Sequence, residues 1–289
     1  MAFTTLDNGI LRVAINPVGA ELSSLQDSTG REYLWQGGKE WPRRAPVLFP
    51  IVGRMPGDEL VHSGTSYEMR QHGFARDQQF DILAVTETEA VFSLKESPAT
   101  LAQFPFPFKL DIHFSLIGER LGIVTTVANT GSEEFSASLG EHPGFIWPLD
   151  SSVLRDSHTL EFPNEEPEPI RRIADGLLLP DSQPTPVVGR TVYLDEKLFT
   201  DDAVIFDRLK SRRVRYSGPG TPSITVDFAD FPTLGVWSKV PGDFICIEPW
   251  FGMTAPQGFA GEYGEKPGQF SLQPGDVLPF AHGITVSQE

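Results

Sequence analysis

The chain has 289 residues, 39% hydrophobic and 11% aromatic, an ordinary globular composition long enough to bury a sizeable core. Its formal net charge of -16 repels a phosphate backbone and an anionic bilayer surface, so neither nucleic acid nor membrane is an expected partner. One cysteine, Cys246, supports neither a disulfide framework nor a cysteine-based zinc site, and is expected to be a small buried apolar residue.

The start, "MAFTTLDNGILRV", lacks the basic, then apolar, pattern of a signal peptide, and no apolar run is long enough to span a bilayer. A soluble, cytoplasmic protein is expected. Along the chain the dominant pattern has period two. A short helical pattern at Ala99–Gln103 precedes "FKLDIHFSLI", where Phe108, Leu110, Ile112, Phe114 and Leu116 fall on one face and Lys109, Asp111, His113 and Ser115 on the other. That alternation predicts a half-buried strand with His113 in solvent. The turn "GER" and then "LGIVTTVAN" predict its hairpin partner.

Beyond these, "PNEEPEPI" at 163–170 reads as a loop and Asp195–Phe199 as a short helical turn. "SITVDF", "LGVWSKV", "FICIE" and "ITVSQ" read as strands, the middle two separated by the turn signal Pro241-Gly242-Asp243. The 25 prolines and 27 glycines are spread throughout, as many short strands and turns require. The pattern predicts one all-β domain over 1–289, a sandwich or a barrel, with a few short helices.

Four segments depart from plain strand patterning: "APVLFPIVGRM", "QHGFARDQQF", "LGEHPGFIWPL" and "FICIEPWFG". In the last, an extended backbone puts Phe244, Cys246, Glu248 and Trp250 on one face, and Ile245 and Ile247 on the other. Glu248 thereby shares a face with large apolar groups, where a carboxyl's basicity can be tuned. His72 and His142 each neighbour glycine and phenylalanine, which allow close approach and offer an apolar wall. Glu141 faces away from His142 and is expected in a salt bridge or at the surface. His62, His158 and His282 have uninformative surroundings. No HExxH motif, phosphate-binding glycine loop or GxSxG elbow occurs, so no metal and no cofactor are expected.

The ordered set "GAELSSLQDSTGREYLWQG", "LFPIVGR", "HGFAR", "EHPGF" and "FICIEPWFGM" resembles the aldose 1-epimerases, or galactose mutarotase-like proteins, and in particular their LacX-like branch. The likeness runs from about Asn16 to the closing "LQPGDVLPF". It implies a large antiparallel β-sandwich with a sugar cleft on a concave sheet, and interconversion of the α and β anomers of a free aldose. Carried over by motif, Glu248 would be the general base, His142 the general acid and His72 a second polar contact near the ring oxygen. Arg54 would hold sugar hydroxyls, and Asp207 would supply the family's further aspartate. Phe74 and Trp250 are expected to cover the C–H face of the ring. Arg76 either faces the cleft or braces its loop, and Trp147 is at least as well explained by core packing.

The expected partner is a small sugar, with the chain a monomer or homodimer. A negative Glu248 would favour a protonated His142. Three other readings stay open: a hexose-6-phosphate 1-epimerase using Arg43, Arg44 and Arg76; a non-catalytic sugar-binding module; and a glycosidase built on Glu248 with Asp207.

Overall fold

The computed structural model describes residues 2–288. The period-two segments form the strands that the alternation predicts. Phe108–Ile117 and Arg120–Asn129 pair antiparallel across Gly118-Glu119, with Leu116 opposite Leu121 and Leu110 opposite Val127. Gly118 has φ +58°, the left-handed backbone that a two-residue hairpin loop demands and glycine adopts without strain.

This hairpin lies within a nine-stranded antiparallel sheet. Its order runs Thr191–Tyr193, Thr159–Glu161, Arg213–Ser217, Ser223–Asp227, Val277–Ser287, Arg120–Asn129, Phe108–Ile117, Glu89–Lys95 and Asp81–Val85. A second, six-stranded sheet is centred on Phe244–Phe251. Thr233–Trp237 lies on one side of that strand, Leu139–Glu141 and Gly144–Ile146 on the other. Thr4–Asp7, Leu11–Asn16 and Glu21–Asp27 make a third sheet of three strands.

One continuous apolar cluster takes Phe114, Ile123 and Ile284 from the large sheet and Leu234, Val236, Ile245 and Ile247 from the six-stranded one. The two sheets are therefore the layers of a β-sandwich. Among the described residues, helix is confined to single turns. Pro98–Leu101 is closed by a Ser97/Thr100 capping box, and Glu196–Phe199 is capped by Asp195. The 163–170 segment is irregular, but Glu166 within it is buried and accepts the backbone N–H groups of Lys210 and Ser211.

Glu141 departs from expectation. It is buried between the sheets and accepts a hydrogen bond from Thr125 at 3.1 Å, because the face of its strand opposite His142 looks into the core rather than into solvent. Burial, against the Thr125 hydrogen bond, pushes its carboxyl up to about 8 from an ordinary 4.5. Between those values the folded chain keeps a proton that the unfolded chain has released, so this group costs stability as pH rises from about 4.5 to about 8. Glu141→Gln should flatten that slope, with a gain over wild type that grows to on the order of 5 kcal/mol by the top of the window. Urea unfolding at several pH values tests it, and parallel profiles for the two proteins would contradict it. His158 and His282 are also buried, while His113 is partly exposed beside Glu89, as its alternation predicts.

Candidate active site

The face of the six-stranded sheet turned away from the core carries a cavity of about 230 Å³, below the 300–1,000 Å³ common for drug-sized ligands. Strand Phe244–Phe251 supplies its floor. Ile245 and Ile247 enter the main core, which leaves Glu248 and Trp250 lining the hollow, the parity read from the sequence. Trp250 lies flat because both neighbouring strands place glycine beneath it. A Cβ at Gly235 would approach its ring to 2.5 Å, and one at Gly140 to 2.8 Å.

His142 follows strand Leu139–Glu141, and its Nε2 lies 3.1 Å from Glu248 Oε2. Both side chains are buried. Three rings fix the imidazole: Trp41 stacks on it at 4.9 Å and 28°, Trp237 meets it edge-on at 5.9 Å, and His72 stands perpendicular at 5.7 Å. Trp41 reaches that position over Gly144, where a Cβ would come within 2.6 Å of its ring.

His72 sits on a left-handed backbone at φ +67°, between Gly53 and Gly73, which also have positive φ. Its backbone N–H donates to Gly53 O at 2.7 Å, and its Nδ1 accepts from Gly53 N–H at 3.1 Å. The second contact fixes the tautomer. A ring that accepts at Nδ1 carries its proton at Nε2 when neutral. Burial, then the charges of His142, Arg76 and Arg43, hold His72 well below its ordinary range, so it is a neutral hydrogen-bond donor rather than a proton source.

Burial acts on the central pair in the same sense. It pushes Glu248 well up, assisted by Asp202 and opposed by the Trp250 indole. It pulls His142 down to about 3, with Arg76 and Arg43 adding to the effect. Desolvation works against the protonated His142 that a negative Glu248 would favour. Burial therefore favours the uncharged form of both groups, whose facing atoms lie 3.1 Å apart.

The other expected site residues divide. Arg76 lines the cavity, donates to Gln71 O at 2.5 Å, and is drawn down to about 10 by burial and then by Arg43. Arg54 does not line it. Its guanidinium forms a two-pronged bond with Asp58, at 2.6 and 2.7 Å, four residues downstream. Phe74 is buried in the main core against Phe49 and Phe108, away from the hollow. Asp207 lies 3.8 Å from Arg171 and is not part of the lining. The lining carboxylate in that region is Asp202, five residues earlier, on a left-handed backbone at φ +64°. Trp147 is fully buried and donates to Arg155 O, a core role.

Trp41, Trp237 and Asp202 are lining residues that the sequence reading did not name. For Trp237 a signal existed. It pairs with Cys246 across the sheet and so shares the face of Glu248.

Comparison with known proteins agrees with this architecture. The sequence matches the family described as Aldose 1-epimerase over residues 3–270. It is 33% identical to the plasmid-encoded protein LacX of Lactococcus lactis subsp. lactis, covering 97% of this chain and 98% of that one. The chromosomal LacX of the same organism is 34% identical, with the same coverage. A galactose mutarotase related enzyme from Lactobacillus acidophilus superposes with a TM-score of 0.92 at 30% identity, over 98% of this chain and 97% of that one. A galactose mutarotase-like protein from Lactobacillus casei gives the same TM-score and identity, over 99% and 100%.

Proposed function

The chain belongs to the aldose 1-epimerase family, and from that premise we propose that it interconverts the α and β anomers of a free aldose by acid–base ring opening and closure at Glu248 and His142. The observation that carries this reading is the buried contact of 3.1 Å between the two proton-carrying atoms. Mutarotation takes a proton from the anomeric hydroxyl and gives one to the ring oxygen. Both oxygens are bonded to the same carbon, so two protein groups a few ångströms apart can serve them together.

A pair holding one proton always has one donor and one acceptor. As O1–H releases its proton to the acceptor, the donor protonates the ring oxygen and the C1–O5 bond breaks, leaving the aldehyde. The proton has then changed sides within the pair. After rotation about C1–C2, closure on the other face of the carbonyl returns it. Glu248 as base and His142 as acid is the order in which the ionic form of the pair acts. Sugar hydroxyls entering the cavity provide the hydrogen bonds that this form needs. His72 Nε2–H supplies a fixed donor, and the Trp250 ring a flat apolar surface for C–H groups.

Charge in the cavity favours a neutral sugar. Arg76 is opposed by Asp202 in the same lining, and Arg43 is tied to Asp77 at 2.8 Å. A phosphate dianion would meet one guanidinium and two carboxyl groups. A non-catalytic binder gains nothing from burying a carboxyl and an imidazole at such desolvation cost. Asp207, held near Arg171 outside the lining, is not available as the second carboxylate of a glycosidase.

Polarimetry on freshly dissolved anomers of free hexoses, pentoses and hexose 6-phosphates tests the proposal. Faster rotation change than buffer for a free aldose is expected. Sugar binding with no acceleration across the panel would favour a binding module. Arg76→Ala should raise KM about tenfold, the worth of one hydrogen bond to a charged group, whereas Arg54→Ala should leave KM within about twofold because Asp58 already occupies its guanidinium. A larger KM effect at Arg54 than at Arg76 would reverse this assignment.

A further inference from the structure

The central pair has a third neighbour that anomer exchange does not use. Cys246, the chain's one cysteine, is fully buried and free, two residues before Glu248 on the same strand face. Linear spacing offers no ligand cluster, yet the fold assembles one. The Cys246 sulfur, a ring nitrogen of His142 and a carboxylate oxygen of Glu248 all lie within 4.8 Å of one another. Within this buried group, the 3.1 Å approach of His142 Nε2 makes no hydrogen bond to Glu248 Oε2, which is left without a hydrogen-bond partner. Unpartnered polar atoms at such depth are costly, and a ligand that engages them recovers the cost.

We propose that Cys246, His142 and Glu248 form a binding site for a zinc-type divalent cation, and that the ion and the sugar exclude one another. The donor set decides the class of ion. A thiolate with an imidazole selects zinc and its soft or borderline neighbours over magnesium and calcium, which take oxygen ligands. Three protein ligands with a fourth position open to a cavity is a common arrangement for bound zinc. Tetrahedral zinc holds its ligand atoms roughly 3.3–3.6 Å apart, as its bond lengths require. The His142–Glu248 contact of 3.1 Å is already near that spacing, and the sulfur needs to close by little more than about 1 Å. The thiol proton and the proton of the central pair leave to solvent as the three donors take the ion.

Exclusion of the sugar follows because the ion occupies both atoms that exchange protons with it. That clause rests on the epimerase reading; metal binding itself does not.

Cobalt(II) serves as the spectroscopic probe, added to the full chain after treatment with a chelator. One equivalent should saturate a thiolate-to-cobalt charge-transfer absorption in the near ultraviolet, and zinc should displace it. Cys246→Ala should abolish that band and weaken cobalt binding at least tenfold. Glu248→Gln should retain the band with weaker binding, which keeps the test decisive should the cysteine variant fail to fold. Zinc, but not magnesium, should suppress anomer exchange in wild type, reversibly on chelation. Absence of a saturable charge-transfer band in wild type, or its persistence in Cys246→Ala, would overturn the site. A normal band with undiminished exchange at saturating zinc would overturn the exclusion. A protein that shows the band but no exchange with any sugar would instead contradict the epimerase reading alone.

Discussion

Glu248→Gln is expected to lower kcat for anomer exchange by about 10²–10⁴-fold, the usual worth of one positioned proton-transfer group. The amide has nearly the carboxyl's shape and hydrogen-bonding reach but cannot take or give the proton. Sugar affinity should therefore change little, with the loss falling on kcat and kcat/KM alike. Folding should survive. Burial already drives Glu248 toward its neutral form, and glutamine mimics that form without the charge. A folded variant that keeps more than about a tenth of wild-type kcat would remove Glu248 from the chemistry.

His142→Asn is expected to cause a loss of the same order, and the double variant should be little worse than the more damaged single one. Non-additivity follows from the contact itself. Two groups that pass one proton act as a unit, so removing either leaves the other without a function. Additive losses, with the double variant falling by the product of the two, would mean that the residues work independently. The asparagine is smaller than the ring it replaces, and it forfeits stacking on Trp41. A modest fall in thermal stability is expected, a packing effect separate from catalysis.

Much of this architecture is written in alternation. Period two marks the strands and separates Ile245 and Ile247 from Glu248 and Trp250, and the fold turns the first face to the core and the second to the cavity. The antiparallel sandwich and the meeting of His72, His142 and Glu248 accord with the family resemblance. What escaped lies in loops and in competition between neighbours. Arg54 carries the right chemistry, but Asp58 captures it, and sequence spacing does not say which partner a flexible side chain takes.

Asp202 and Asp207 flank the same strand, Val204–Phe206, each a carboxylate beside an apolar run. Asp202, on a left-handed turn, is the one that lines the cavity. Phe74 follows Gly73 into the core, since no periodicity operates across a bend. Trp41 comes from an irregular segment, and its place over Gly144 is set by steric room that one strand's pattern cannot display. Glu141 departs from expectation because one strand's alternation does not show what covers its face. The second sheet, which covers it, is assembled from residues far along the chain.

The most direct measurement is anomer exchange by magnetisation transfer between the α and β C1 proton signals of an equilibrated aldose, with and without the protein. The account predicts exchange well above the buffer rate with wild type, reduced to near the buffer rate by Glu248→Gln, at sugar concentrations where both proteins are shown to bind. Exchange as fast with the variant as with wild type, or no acceleration by a wild-type protein saturated with sugar, would contradict it.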